Sequence, residues 1–466
     1  MLAVAAGALV VLVIWTLATG GARPLPVRSL YAALIAASLL GAGAAFAVRG
    51  LDRAGPLVAC LSFAALLGNT RAMASSDTLP ASVIPVALVR DGALTLRGFE
   101  PFHTEGRTDL VPLANGRFAS KYPVGTALLA LPIALPYALG GAPLEARILT
   151  AIQKVAAAAL AAATVALLFL AFRRIASERI ALVSAALVLF GTATLPILGQ
   201  ALWQHTGAAL CLAAGAAALV VLREDRSLWR AGLTGFCAGA ALACRPSDLP
   251  LAAALVAALI DLDRRRSRIA LCAAAFALPL LLTFAYNAAT FGHWLKTGYG
   301  TESSTGWRPI WPDGAEGLAG LLASPARGLF VASPILLAAA AFLAWPPRDT
   351  PRRRPLRWLA LGAAGQALLM ARWWAWSGMF SAGPRMLSDA IPFLALGIPI
   401  LMTAALRSRS RKAALVAVAL LSVASVIPNL LLAYSNPPPQ GRKLVWELAE
   451  GPWSLRAYPP IAWVQR

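Results

Sequence analysis

Charge is what this sequence has least of. Only 13% of its 466 residues are Asp, Glu, Lys or Arg, against roughly a quarter in an ordinary soluble domain. A soluble fold this poor in charge has too little polar surface to offer water. Acid is scarcer than base, 20 Asp and Glu against 41 Lys and Arg. Of the three histidines, His103 and His293 are too isolated to build a zinc site. The five cysteines (Cys60, Cys211, Cys237, Cys244 and Cys272) lie in apolar segments without metal-ligand spacing. That speaks against a disulfide framework or structural zinc and leaves them as small buried apolar residues. No GxGxxG or P-loop fingerprint follows a strand, no repeat is evident, and few strands are expected. The first apolar run has no basic residue before it, which makes it a poor signal peptide and a fair first span.

What fills the chain instead is hydrocarbon: 59% of the residues are hydrophobic. Apolar runs fall at about 1–20, 29–48, 56–72, 147–171, 180–198, 203–222, 229–244, 249–261, 269–290, 327–345, 357–376, 389–406 and 412–434. Repeated runs near the spanning length of ~20 residues define an all-α polytopic membrane protein. The net charge of +21 is explained by topology, with no nucleic acid needed. FRRIASER (172–179), LREDRSLWR (222–230), DLDRRRSR (261–268), PRDTPRRRPLR (347–357) and RSRSRK (407–412) are short and basic. Short basic connections stay in the cytoplasm, and two runs separate each of these from the next. A further run, VGTALLALPIALPYALG (124–140), is short and broken by Pro132 and Pro136. Reading it as a re-entrant or interfacial helix keeps the basic loops on one side. Thirteen spans remain, with the N-terminus inside and the C-terminus outside. The inner loops are far too short to hold a soluble nucleotide-binding domain.

On the outer side this places the polar outliers. Asp77 ends the third run. The stretch after it, TLPASVIPVALVRDGALTL, has the apolar spacing of an amphipathic helix lying in the interface. A carboxylate held between such a helix and the bundle is partly desolvated and suits a general base. Ser76-Asp77 before a Pro-containing helix start equally suits an N-cap. Lys121-Tyr122-Pro123 leads into the re-entrant helix, where a cation and free backbone N–H groups together fit a phosphate; a lysine reaching the lipid headgroups fits as well. Arg147 and Lys154, seven apart on the next run, share a helical face. Lys154 lies about two turns deep, a position that is functional by default unless its side chain snorkels outward. In WWAWSGMFSAGPRMLSDAIP, the aromatics Trp373, Trp374 and Trp376 meet Arg385 and Asp389. The arginine suits a phosphate clamp and the indoles a sugar or lipid groove; an aromatic belt with an Arg–Asp pair is the plainer alternative. His205 in LWQH, Arg245 in CRPSDLP and Tyr299 complete the candidate cleft lining. Tyr286-Asn287 and Phe291-Gly292, ahead of Tyr299, mark the start of a gating loop.

The order of these motifs resembles the bacterial GT-C superfamily of membrane glycosyltransferases, in the group around protein-mannosyltransferase-like and lipid-A aminosugar-transferase-like enzymes. The residues that carry it are the acid ending a span, xLPxxxxPxxLxRxGxLxL, NGRFASKYPVGT, GTATLP, LWQH, CRPSDLP, YNAATFGHWLKTGY, SPARGLFVASP and WWAWSGMFSAGPRMLSDAIPF. They run from about residue 56 to the tail, which divides the chain into extra N-terminal spans (1–55), a GT-C-like module (56–434, with outer loops 73–146 and 291–326) and an extracytoplasmic tail (435–466). The resemblance implies a polyprenyl-phosphate-linked sugar donor and a glycan, lipid or protein acceptor. It also implies inverting transfer on the outer face of a bacterial inner membrane, and a catalytic acid at Asp77. One position departs from it. Relatives in this group commonly carry a second acid directly after the first, where this chain has Thr78; Asp91, Glu100, Glu105 and Asp109 are the other acids of the loop. The expected reaction uses Asp77 as base, Lys121, Arg385, Lys154 and Arg147 toward the donor phosphate, and no metal or other cofactor. A lipid-linked glycan flippase, or a polymerase or ligase using a lipid-diphosphate donor, is the alternative.

Overall fold

A computed structural model of the chain describes residues 1–20, 27–47, 54–69, 77–97, 109–225, 228–351, 353–378, 381, 383–435, 452–455 and 458–460. Its principal helices, in chain order, are α1 (Leu2–Ala18), α2 (Val27–Ala47), α3 (Ala54–Leu67), α4 (Leu79–Asp91), α5 (Gly125–Leu129), α6 (Leu131–Leu139), α7 (Ala146–Phe172), α8 (Glu178–Phe190) and α9 (Gln204–Asp225). There follow α10 (Leu228–Cys244), α11 (Leu249–Leu262), α12 (Arg266–Phe291), α13 (Ala315–Ala323), α14 (Pro334–Ala344), α15 (Arg353–Ala371), α16 (Gly397–Arg407) and α17 (Arg411–Ser435). The one sheet among the described residues is a hairpin of β1 (Leu110–Pro112) and β2 (Phe118–Ser120), paired antiparallel with Val111 opposite Ala119.

Each of the thirteen apolar runs carries a helix, because a backbone without water must bond within its own segment. Not all of these helices have spanning length. By length and composition, four of the described helices can cross a bilayer: Ala146–Phe172, Gln204–Val221, Arg266–Phe291 and Arg411–Tyr434. A fifth is the pair Arg385–Leu394 and Gly397–Arg407, bent by 52°. The others are short or interrupted, as in 180–198, where α8 stops at Gly191 and a separate π-helical turn, Thr194–Leu198, follows. The protein is a multi-pass membrane protein. Within its spans, α7 and Gln204–Val221 of α9 are 67% and 78% buried, whereas the most apolar window of α12 is only 11% buried. Leu278, Leu281 and Leu282 of α12 stand exposed as hydrocarbon-facing side chains.

The described residues form two compact units. The first comprises Met1–Ala166, Leu198–Gly207 and Leu281–Gly300. Here α1 packs on α2, α2 on α3, and α1 also on α6. A Cβ at Gly140 would overlap the Ala18 main chain, so α1 meets the end of α6 at backbone contact. The first helix thus packs with the segment 131–140. Pro80 in the first turn of α4 presets its φ, and Gly92, at φ 61°, ends the helix in the left-handed cap that glycine takes without strain. The expected one-faced interfacial helix is corrected here. Every residue from Ser82 to Ala87 is buried, because α5 and α6 fold back over α4. Arg90 donates to the Ala138 and Tyr137 carbonyls, at 3.0 and 2.8 Å, at the C-terminal end of α6, where a cation is favoured. The expected re-entrant helix is two pieces, α5 and α6, of five and nine residues.

The second unit comprises Leu167–Ile197, Ala208–Leu280 and Thr301–Arg466. Its core pairs are α11 with α15 and α14 with α16, with α17 and α8 closing on α16. Small residues set the helix spacing. In GFCAG of α10, a Cβ at Gly235 or Gly239 would collide with the Cys272 or Phe276 carbonyl of α12. This is the close backbone approach that a small-xxx-small face permits in a bilayer. Most of the tail 435–466, including Trp446 and Trp463, lies outside the described residues.

Candidate functional site

The first unit holds seven of the candidate residues: Asp77, Lys121, Tyr122, Arg147, Lys154, His205 and Tyr299. Asp77 precedes α4 by two residues, and the N-cap position is Thr78, not Asp77. The Asp77 carboxylate accepts a hydrogen bond from Trp203 Nε1 at 3.1 Å. Trp203 is buried in the turn that opens α9. One residue on, Gln204 Nε2 donates to the Tyr299 hydroxyl at 2.9 Å. The Tyr299 ring lies under Lys121 Nζ, 5.7 Å from its centroid, and meets Tyr122 edge-on at 5.6 Å. The Tyr122 hydroxyl donates to Asp109 Oδ2 at 2.7 Å. Burial first, then the charges of Asp77 and Asp109, push that hydroxyl far above its ordinary range. Asp109 therefore stands at hydrogen-bond distance from a phenol that stays protonated across neutral pH, and the Asp77 charge acts on the same group.

The hairpin and the loop after α12 build this cluster together. Lys121 follows β2 directly, and its N–H donates to the Asp109 carbonyl at 2.9 Å. Loop 292–300 runs between two left-handed glycines, Gly292 at φ 79° and Gly300 at φ 56°. It reaches main-chain contact at Gly298, where a Cβ would lie 2.5 Å from Lys121 Cα and 2.7 Å from its carbonyl oxygen. Only glycine allows the loop to come down onto the strand end and bring Tyr299 under the lysine. At the loop's root, Tyr286 meets Phe291 edge-on at 6.1 Å, and Asn287 donates to the Trp294 carbonyl at 3.2 Å.

Among the other acids of the first loop, Asp91 is exposed and lies 3.8 Å from Arg117. Glu100 and Glu105 lie outside the described residues. His205 is buried at the start of α9. The two cations of α7 do not act as a pair. Arg147 is exposed and bonded to Glu145 at 2.7 Å. Lys154 is fully buried, with Nζ donating to the Gly199 carbonyl at 2.9 Å and to Gln200 Oε1 at 3.2 Å. In this geometry the ammonium is buried and engaged by two protein acceptors. The pattern of the turn GQALWQHTG singles out His205, whereas the side chains of that turn that bond into the cluster are those of Trp203 and Gln204.

The remaining candidates belong to the second unit. Arg245 and Asp389 were expected to line a cleft; both are buried instead. Arg245 Nη1 donates to Asp389 Oδ2 and, at 3.1 Å, to Asp248 Oδ1, which also accepts from Gln366 Nε2 at 3.0 Å. Burial, then repulsion from Asp389, raises the Asp248 carboxyl well above its usual range, against the pull of Arg245. Asp389 is thus paired with Arg245. Arg385 is half-buried and donates to the Gly378 carbonyl at 3.2 Å. The three tryptophans diverge. Trp373 packs on Trp307 with centroids 4.9 Å apart, and Trp374 donates to Glu302 Oε1 at 3.0 Å. Trp376 covers Gly320 of α13. Among the described residues no three His, Cys, Asp or Glu side chains group as a metal site.

The architecture is a helical membrane bundle with short helices and a polar cluster built on its first long loop. Among solved structures, it is similar to ArnT from Cupriavidus metallidurans bound to undecaprenyl phosphate, with a TM-score of 0.50 and 12% identity over 81% of this chain and 71% of that one. The overlap with the Archaeoglobus fulgidus oligosaccharyltransferase tethered to an acceptor peptide is weaker, with a TM-score of 0.46 and 11% identity over 85% of this chain and 56% of that one. No protein-family model and no curated protein matches the chain.

Proposed function

We propose that this protein is a membrane glycosyltransferase that moves a sugar from a polyprenyl-phosphate-linked donor to an acceptor hydroxyl on the extracytoplasmic face. The observation that carries the reading is one cluster: Asp77 held by Trp203, close to Tyr122, with Lys121 above Tyr299 in the same unit. It supplies a base and a cation around one tyrosine pair. The fold shared with an ArnT that binds undecaprenyl phosphate supports a donor of that type.

In the proposed step the acceptor oxygen attacks the anomeric carbon as Asp77 takes its proton. The bond from that carbon to the phosphate oxygen breaks, and the polyprenyl phosphate leaves with the electron pair. Lys121 neutralises the charge that grows on the phosphate, which stabilises the leaving group electrostatically. In-line attack inverts the anomeric configuration. The Trp203 N–H orients the carboxylate, and Tyr122, kept protonated, donates to Asp109 and supplies no negative charge of its own.

General-base catalysis contributes on the order of 10²–10⁴-fold. Asp77→Asn is expected to lower kcat by about that factor in a transfer assay with synthetic polyprenyl-phosphate sugars, while undecaprenyl phosphate still binds. Near-normal turnover in this variant would remove Asp77 from the role of base. Protected relocation of the labelled donor without transfer would assign a flippase instead.

A further inference from the structure

Lys154 poses a physical problem. It lies eight residues into α7, so about 12 Å along the helix at 1.5 Å per residue, and none of its surface is exposed. An ammonium at such a position is expensive. Its side chain does not reach back to the headgroups, and no carboxylate pairs with it among the described residues. Its charge is met by dipoles alone. Gly199 directly follows the π-helical turn Thr194–Leu198, where end carbonyls carry partial negative charge. The second acceptor, Gln200 Oε1, also receives Asn69 Nδ2 at 2.7 Å. Two donors converging on one amide oxygen fix its orientation.

The turn so held is the one that builds the site. Thr206 Oγ1 closes it from the other end by donating to the Leu198 carbonyl at 2.9 Å and the Ala201 carbonyl at 3.2 Å. Trp203, on Asp77, and Gln204, on Tyr299, lie three and four residues after Gln200. We propose that Lys154 is a positioning residue: with Gln200 and Asn69 it forms a buried latch on turn 199–204. That latch sets the Trp203 indole against the Asp77 carboxylate and Gln204 against the tyrosine beneath Lys121. The inference rests on the glycosyltransferase reading for its catalytic consequence, but not for the latch itself.

The test uses the full chain in lipid nanodiscs. Lys154→Met keeps the volume and removes the donor. Its peptides over residues 199–204 are expected to exchange backbone hydrogens at least about tenfold faster than wild type, while peptides over 158–166 of the same helix stay unchanged. Gln200→Leu, which cuts the link to Asn69 and leaves the lysine in place, is expected to loosen the same peptide. Unchanged exchange at 199–204 in both variants overturns the latch, whatever reaction the protein performs. In the transfer assay, Lys154→Met is expected to lower kcat about 10–100-fold with donor KM within threefold. Its effect should be non-additive with Trp203→Phe, because both act on one contact. A raised KM at constant kcat would instead put Lys154 on the donor and overturn the positioning role. If Asp77→Asn proves fully active while exchange at 199–204 still rises, the latch stands and the catalytic reading fails alone.

Discussion

At the scale of single residues, the buried polar groups carry the sharpest consequences. Asp248 and Asp389, both fully buried, share one guanidinium nitrogen of Arg245. Gln366 also faces Asp248, and Cys244 adds a further upward push on its carboxyl. Asp248 is the acid whose affinity for protons is raised, by burial first and then by repulsion from Asp389. The linkage then has a definite sign. As pH rises from about 4, the unfolded chain releases this proton and the folded chain retains it, so stability declines through that window. Asparagine accepts the same two hydrogen bonds and does not titrate. Asp248→Asn is therefore expected to flatten the fall of Tm between pH 5 and 8 and to raise Tm at pH 8. A lower Tm at every pH would show that the fold needs the ionised carboxylate. Arg245→Met leaves both acids without their cation, a loss of about 3–5 kcal/mol by the rule for broken buried pairs, read as failure to withstand mild heating in detergent.

At the scale of elements, short irregular pieces matter more to the site than the long helices do. Loop 292–300 is set by Gly298, whose missing Cβ lets it rest on the Lys121 main chain. Gly298→Ala is expected to lift the loop, take Tyr299 from beneath Lys121, and weaken undecaprenyl phosphate binding about tenfold, close to 1.4 kcal/mol. Isothermal titration in nanodiscs checks this, and unchanged affinity would separate the loop from the donor site. The burial of α4 follows similar logic. Its sequence has the spacing of a one-faced interfacial helix, yet the break at Ala130 lets α5 and α6 cover it from above. A helix that could have lain in lipid becomes a wall of the first unit.

At the scale of the whole molecule, the distribution of arginine makes a prediction about sides. By the positive-inside rule, connections of the DLDRRRSR kind are expected inside and the loop after α12 outside. Ser267 and Ser303 are both exposed, and four of the five native cysteines are buried. With Cys60 as background control, Ser303→Cys is expected to react with a membrane-impermeant maleimide on intact cells, and Ser267→Cys only after lysis. Labelling of both from one side would invert or break the topology, and with it the extracytoplasmic placement of the reaction.

The sequence by itself determined that this chain is a helical membrane protein and where its helices lie, because hydrophobicity and the need to satisfy the backbone in lipid are local properties. It also drew attention to Asp77, Lys121, Tyr122 and Tyr299, since polar residues are conspicuous in so apolar a chain. Which of these partners which was decided only by tertiary structure. Lys154 bonds to a turn 45 and 46 residues away, and Asp389 takes Arg245, 144 residues off. Asp77 meets Trp203 across 126 residues. Such pairings depend on where distant turns are brought together and on which side chain of a turn points inward, and a shift of one residue there would exchange Trp203 for Gln204. No local pattern of charge or hydropathy encodes that choice.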